Sequence, residues 1–451
     1  MSEQKQARFV TGSIWNHVFV MTFTGAIGLM ALFLVDFADL YFLALLGDTQ
    51  ITSAIGFAGM IAFASLSVSI GIAIAAAALV AQNLGAGNRA RAKCYATSTL
   101  ALGVAGPSLV ALLVYFFSGD ILTFLGARHE TLGFGILYLK TVAIGFPLLG
   151  ASVCCSFILR AIGDARRAMY VTLVAAIGNG LLDPLFIFGF DLSIQGAALA
   201  TVCANLASFL VGFYGVKKHH GFFLSFSFSH FIKDFPDIWK IAFPATLTQL
   251  ATPFAIGYLT WASAPFGDEA VAGTAIINRL VPVAFGIVFS LSGAIGPIIG
   301  QNFGARNFTR LREVLSKALL FNATYTISIA IILWFLSDAI PGWFLAKGDA
   351  VRLVTLFCTY LSFSWLFAGM QFVSQAAFNN LGKAHWSMMF NWGKATLGTI
   401  PFVLAGVKLW GFEGVMIGYS LGTVVFGIFA TISVYVYLSK LEQTGGYYGT
   451  H

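Results

Sequence analysis

Residues 81–88 read AQNLGAGN, and residues 300–307 read GQNFGARN. The second copy keeps Gln301, Asn302, Gly304, Ala305 and Asn307 at the places of Gln82, Asn83, Gly85, Ala86 and Asn88. Each copy follows a long apolar run and precedes a basic cluster, Arg89, Arg91 and Lys93 in one case, Arg310, Arg312 and Lys317 in the other. The same offset lays Ile162-Gly163-Asp164-Ala165 on Leu381-Gly382-Lys383-Ala384, and a shift of one residue pairs Gln195-Gly196 with Glu413-Gly414. One plan is thus written twice along the chain. Duplicated halves are a recurrent ground plan of membrane transporters, with the substrate site between or inside them.

Composition sets the class. Hydrophobic residues make up 58% of the 451 and charged residues only 10%, where a soluble domain carries about a quarter charged. Mean hydropathy is +0.86, and the apolar runs extend well past 18 residues without alternating, which points to membrane helices and excludes a β-barrel. No signal peptide is visible: the polar start, Ser2 to Arg8, leads into a segment too long for a cleavable one. The five Cys (94, 154, 155, 203, 358) lie in or beside apolar segments without metal-like spacing and are expected to pack. The net charge of +7 is no nucleic-acid signal, because no basic face with interleaved aromatics accompanies it.

The expected fold is an all-α polytopic membrane protein with about twelve transmembrane helices, in two pseudo-symmetric six-helix lobes around a central cleft. Spans are expected near 15–46, 51–80, 93–117, 131–158, 168–189, 194–216, 238–264, 270–299, 314–336, 351–378, 385–406 and 414–438. Tight hairpins are required near Gly47 and Asp191. The even-numbered connections and both termini hold most of the 25 Lys and Arg, while the odd ones carry Asp48, Asp120, Asp191, Asp268, Glu269 and Asp338. The positive-inside rule then puts both termini in the cytoplasm. An even number of spans per half makes the halves parallel repeats, able to rock about a cleft. The polar stretch 217–237, with Lys217-Lys218-His219-His220, reads as the inter-lobe linker, and the lobes as residues 1–222 and 223–451. The two His read as solvated loop residues. Prolines 107, 147, 184, 244, 253, 282, 297 and 401 break many spans, which membranes tolerate where neighbours or a wet cavity satisfy the backbone.

Five ionisable residues interrupt the apolar runs: Asp36 and Asp39 in span one, Asp183 in span five, Arg279 in span eight and Lys394 in span eleven. Each costs on the order of 2.5–3.5 kcal/mol to insert, and such residues usually face an interior cavity. The first half holds the acids and the second the bases. Asp36 and Asp39 are spaced i,i+3, and Asn179 and Asp183 i,i+4, so each pair shares a helix face. Pro184 adds a kink beside an acid. Acids so placed could exchange a proton as a lobe moves, or could serve only to lock helices together. Arg279 could pin a helix by bonding to carbonyls, and Lys394 could snorkel to the surface.

Over nearly its whole length the chain resembles the multidrug and toxic compound extrusion (MATE) transporters. The resemblance rests on Asp39-Leu40-Tyr41-Phe42-Leu43-Ala44-Leu45-Leu46-Gly47, on Gln82 to Asn88, on Leu159-Arg160-Ala161-Ile162-Gly163-Asp164, on Asn278-Arg279 with Phe289-Ser290-Leu291-Ser292, and on Gly300-Gln301-Asn302, in that order. It implies export of amphipathic organic cations, driven by protons or Na⁺ entering the cell, by a protein of the inner membrane that is not an enzyme. Similarity to the DinF-type branch implies a proton-responsive pocket in the first lobe. Its span-one acid falls on Asp39, with Asp36 as a further proton-coupling candidate; Tyr138, Asn179, Asp183 and Thr201 take the other places. The Na⁺-driven branch carries acids in spans seven and ten, where this chain has Gln249 and Gln371; that departure favours protons, with Na⁺ still open. Asn205, Gln249 and Arg279 join Tyr138, Asn179 and Thr201 as expected substrate contacts. The expected partners are cationic drugs and membrane lipid, with no nucleic acid, metal site or cofactor, in a monomer.

Two rivals compete. A lipid-linked oligosaccharide flippase of the same superfamily would line its cleft with several cations, of which Arg279 and Lys394 are two. A prenyltransferase, prompted by Asp36-x-x-Asp39, would need Mg²⁺ and a second Asp-rich motif on the same face, and the chain has only the one pair.

Overall fold

The computed structural model describes residues 7–45 and 49–444; the side chains of residues 40, 41, 43–45 and 49 are not described. Leu46, Gly47 and Asp48, and with them the hairpin expected at Gly47, lie outside the described residues. Among the described residues sixteen α-helices follow one another: α1 Ile14–Leu45, α2 Thr49–Gly85, α3 Arg89–Phe124, α4 His129–Ala143, α5 Phe146–Ile162, α6 Ala165–Pro184, α7 Ser193–Tyr214 and α8 Phe228–Ser263, then α9 Asp268–Gly304, α10 Phe308–Phe335, α11 Ile340–Trp343, α12 Asp349–Thr359, α13 Trp365–Asn380, α14 Ala384–Ala395, α15 Ile400–Trp410 and α16 Glu413–Gln443. No strand occurs among the described residues.

Among the described residues eight helical stretches are long and apolar enough to cross a membrane, and two bent pairs, if each is one span, bring the number to ten. The pairs are α4 with α5, bent by 47°, and α12 with the stretch Leu361–Asn380, bent by 52°. The other two expected spans correspond to α8 and to α14 followed by α15. This is a multi-pass helical membrane protein. The expected hairpin at Asp191 is present: a π-helical turn, Leu185–Gly189, ends the fifth span and α7 starts at Ser193, with Asp191 at φ +54°. The polar stretch expected to link the halves up to residue 237 is shorter than the sequence suggested, because α8 already begins at Phe228.

The duplicated phrases fold into duplicated turns. Asn88 and Asn307 cap α3 and α10, each accepting a backbone hydrogen bond at 3.0 Å, from Arg91 and Arg310 respectively. Behind each cap the helix closes identically: Asn88 N donates to Asn83 O, and Asn307 N to Asn302 O, both at 2.9 Å. The second pair matches as well. Gly163 and Gly382 are both left-handed, and the amides of Asp164 and Lys383 reach back to Leu159 O and Phe378 O at 2.8 Å.

Contacts divide the chain into two compact units, residues 27–246 and residues 1–26 with 247–451. In unit 27–246 the core gathers Val114, Leu122, Leu139, Val142 and Phe146, with a second cluster of Ile51, Ile187 and Ile194. In the other unit Phe285, Val288, Leu333, Leu353 and Phe357 belong to one cluster. There α15 and α16 pack with their backbones nearly touching: a methyl group on Gly414 would overlap the carbonyl of Gly406. Small residues at such contacts are how membrane helices gain packing when lipid offers no hydrophobic drive. Of the five Cys, Cys154, Cys155 and Cys358 are buried as expected, while Cys203 is exposed.

Candidate functional site

Unit 27–246 brings three of the expected residues together. Gly180 lets α6 lie against α1, for a Cβ there would stand 3.2 Å from Val35. One turn beyond Val35 along α1 is Asp39; one turn along α6 from Asn179 is Asp183. The Asn179 amide nitrogen donates to Asp183 Oδ2 at 2.5 Å and reaches Asp39 Oδ2 at 3.4 Å. The two carboxyls themselves are close enough to share a hydrogen bond. Asp183 is 1% exposed and Asp39 half-buried. Oδ1 of each has no hydrogen-bond partner among the described residues. Pro184 follows at once, and the π-helical turn after it carries Ile187 into the core.

Tyr138 packs against both apolar clusters of this unit and lies within electrostatic reach of both acids. Thr201, on α7, donates its hydroxyl to Ala197 O in its own helix, 3.1 Å away. Asn205 is half-buried one turn further on, and Asp36 is exposed on α1. Two carboxyls held together by one amide can bind a proton, or a cation, but cannot cheaply carry two negative charges.

The other unit holds a polar cluster of a different kind. Asn391 donates to Thr248 O at 2.6 Å and accepts from Gln375 at 3.0 Å and from Gln371 at 3.4 Å. All three side chains are buried. Every member is a neutral carboxamide, so the cluster can hydrogen-bond but cannot titrate. Reading charges along the sequence could not find it. Gln249 is half-buried on α8, Arg279 exposed on α9, and Lys394 sits at the end of α14 with its ammonium 5.2 Å from the Tyr419 ring.

A third constellation escaped the sequence altogether. Asp234, placed by its neighbours in a polar connection, is fully buried. Arg91 Nη1 lies 2.6 Å from its Oδ1, and Ser98 Oγ donates to its Oδ2 at 2.6 Å. Around it Arg91 also bonds Tyr95, whose hydroxyl donates to Asp237. Among the described residues no group of three or more His, Cys, Asp and Glu is placed to hold a metal.

Comparison with known proteins bears on the family and the fold. The sequence pattern of the MatE family matches residues 26–185 and 244–404, once in each half of the chain. A Shewanella oneidensis protein named FAD transporter is 26% identical over 414 residues, covering 90% of this chain and 91% of that one. Multidrug export protein MepA of Staphylococcus aureus is 24% identical over 446 residues, 98% of each chain. Among solved structures, the Vibrio cholerae MATE transporter VcmN in its bent form superposes with a TM-score of 0.89 at 24% identity, over 95% of this chain and 97% of that one. An outward-facing multidrug resistance MATE family transporter superposes with a TM-score of 0.90 at 20% identity, over 97% and 99%. With the family pattern covering most of its length and the whole fold shared, this chain belongs to the MATE family of transporters.

Proposed function

We propose that the protein is a multidrug efflux antiporter of the inner membrane, with both termini cytoplasmic, that exports amphipathic organic cations in exchange for protons. The observation that carries this reading is the Asp39–Asn179–Asp183 cluster. Deprotonated, the cluster offers negative charge and free carboxyl oxygens that favour a bound cation. A proton taken from outside neutralises that charge, and Asn179, which bonds both acids, transmits the change from α6 to α1. Proton and cargo then weaken each other's binding by the same factor, which is the condition for exchange. Tyr138 supplies an aromatic wall beside the acids, suited to a cationic amphiphile.

Protons are favoured over Na⁺ because the polar cluster of the other unit is built from Gln371, Gln375 and Asn391, without a carboxylate to balance a sodium ion. The test is efflux of a fluorescent organic cation from proteoliposomes under an imposed ΔpH or an imposed ΔNa⁺. Drive by ΔpH alone supports the reading; drive by ΔNa⁺ alone overturns it.

A further inference from the structure

The segment leading from α7 into α8 has a surface that transport leaves unexplained. Its sequence reads as a polar linker, yet it exposes Leu224, Phe226, Phe228 and Ile232, by 44%, 57%, 67% and 55%. Ring centroids run in one row from Phe226 through Phe231, Phe235 and Trp239 to Phe243, successive rings 6.0, 6.0, 5.6 and 5.3 Å apart. The opposite face of α8, with Asp234, Ile238 and Ile241, is buried. The first turns of α10, after the second repeated phrase, expose Thr309, Arg312, Glu313 and Ser316 instead. A contiguous apolar row in such a place marks an interaction surface.

The depth of this row follows from α3. Arg89 and Asp120 both lie on that helix, about 46 Å apart at 1.5 Å per residue, close to the thickness of a bilayer with its headgroups. A hydrocarbon core of about 30 Å leaves about 8 Å of headgroup layer at each end. The segment is stitched across the first of those layers. Arg89 Nη2 donates to His220 O at 3.2 Å, and its guanidinium lies 5.0 Å from the buried Phe222 ring. Leu224 N then donates to Thr97 Oγ1 at 3.0 Å, about 12 Å along α3 from Arg89. The chain thus descends from headgroup level to the hydrocarbon edge. The first turns of α8 stay in that layer, since Asp234 and Asp237 still meet Arg91, Tyr95 and Ser98.

Cations border the row. Lys217 Nζ lies 5.2 Å from the Phe213 ring, which stacks on Phe223 at 5.4 Å, and Lys218, Lys233 and Lys240 are exposed along the same segment. The acids nearby are already engaged: Asp164 with Arg167 and His220, Asp234 with Arg91, Asp237 with Tyr95. Among the described residues none of the four lysines pairs with a carboxylate. Rings at the acyl boundary beside lysines at the phosphate level suit an amphiphile of net negative charge. We infer that residues 217–240 form a docking site for anionic phospholipid, whose phosphate meets the lysines and whose acyl chains lie along the rings. The site holds the start of α8 at the membrane surface. It rests on the membrane fold, and neither cargo nor proton coupling enters it.

The probes are dioleoyl phosphatidylglycerol and dioleoyl phosphatidylcholine, alike in acyl chains and different in charge. Each is titrated into the full-length protein purified in neutral detergent, and native mass spectrometry reads the bound lipid. Wild type is expected to hold phosphatidylglycerol at least tenfold more tightly than phosphatidylcholine. Lys217→Gln, Lys218→Gln, Lys233→Gln and Lys240→Gln combined should bring that ratio below twofold. The same four positions changed to Arg should keep it, which guards against misfolding. A control combining Arg306→Gln, Lys317→Gln, Lys383→Gln and Lys440→Gln loses as much charge elsewhere and should keep the wild-type ratio. Phe226→Ser with Phe228→Ser should weaken both lipids at least threefold. No preference in wild type, a preference that survives the four Gln, an equal loss in the control, or rings without effect overturns the inference. A dimer mass in place of a lipid adduct, abolished by the two Ser, would make a second copy the occupant and overturn it too. Drug efflux driven by ΔpH is read separately, and its failure would remove the antiport reading while leaving the lipid ratio intact.

Discussion

The turn after α2 and the turn after α9 have the same backbone and different partners. In both, a capping Asn, a left-handed residue and a bond back to an Asn carbonyl join two long helices. The arginine three residues past the cap then diverges. Arg91 meets the buried carboxylate of Asp234, on α8, whereas Arg310 binds the backbone carbonyls of Phe9, Thr11 and Gly12, just before α1. Gln301 Oε1 accepts from Phe9 N at 2.8 Å in the same place. One turn therefore grips α8 itself, through the side chain of Asp234, and the other grips the segment leading into α1, through main chain. The polar clusters diverge in parallel: carboxyls around Asn179 in one unit, carboxamides around Asn391 in the other. Duplication has preserved what the backbone needs, and charge has been redistributed over it.

The largest expected effect breaks the comparison at those clusters. Asp39→Asn should abolish the response of efflux to ΔpH, since the pair loses a titrating member. Gln371→Ala should leave that response intact and lower only stability, by about 1–3 kcal/mol for a buried group left unpaired. Efflux assays at several imposed gradients check both, and an Asp39→Asn protein with normal proton drive would remove the cluster from the mechanism. Next in size is the difference between the two arginine grips. Asp234→Ala should cost about 3 kcal/mol, the low end for breaking a buried pair, because Arg91 is 34% exposed. Arg310→Ala should cost about 1.5 kcal/mol, the lower end for hydrogen bonds from a charged group. Chemical unfolding of the purified protein ranks them, and equal losses would show that the two grips are energetically alike.

The spans were legible because hydropathy along the chain is a one-dimensional signal, Asp39 and Asp183 because a charge inside an apolar run stands out, and Asn179 because it lies one helical turn before Asp183. Breaks were not legible. The runs 131–158 and 351–378 read as single spans, yet the chain bends between Ala143 and Phe146 and again around Tyr360, since apolar residues continue through both bends. Asp234 was hidden for the opposite reason: with Lys233 and Asp237 beside it, the local composition is that of a loop, and only the fold brings Arg91 and Ser98 to it. Gln375 and Asn391 carry no charge to mark them. The grip on Phe9 links residues 292 positions apart, which no local pattern can announce.

The third turn sharpens the comparison at smaller scale. Asp164 caps α6 by accepting from Arg167 N, and its other oxygen bonds Arg167 and His220; its counterpart Lys383 makes no side-chain cap to α14. Burial alone would push the Asp164 carboxyl up, but the hydrogen bonds from His220 and Arg167 outweigh it and hold it below the usual carboxylate range. A depressed folded value means that the stabilisation is present above the unfolded value near 4 and is lost as pH falls below it. Asp164→Asn keeps a capping oxygen but loses the charge that faces Arg167 and His220, so it should cost about 0.5–1 kcal/mol at neutral pH, the range for a partly exposed ion pair, and the gap to wild type should narrow below about pH 4.

The smallest expected effects test whether the repeat is a repeat of backbone. Asn88→Ala and Asn307→Ala each remove one cap bond of the same length, so each should cost about 1 kcal/mol, and the two losses should agree although their surroundings differ. Gly87, at φ +75°, has open space where a Cβ would go. Gly87→Ala therefore meets only the left-handed penalty of an L-residue, about 1 kcal/mol. The second copy already carries that penalty at Arg306, φ +55°. Thermal unfolding midpoints of the three variants decide the matter. Unequal cap losses, or a Gly87→Ala protein as stable as wild type, would mean that the two turns share a sequence without sharing an energetic role.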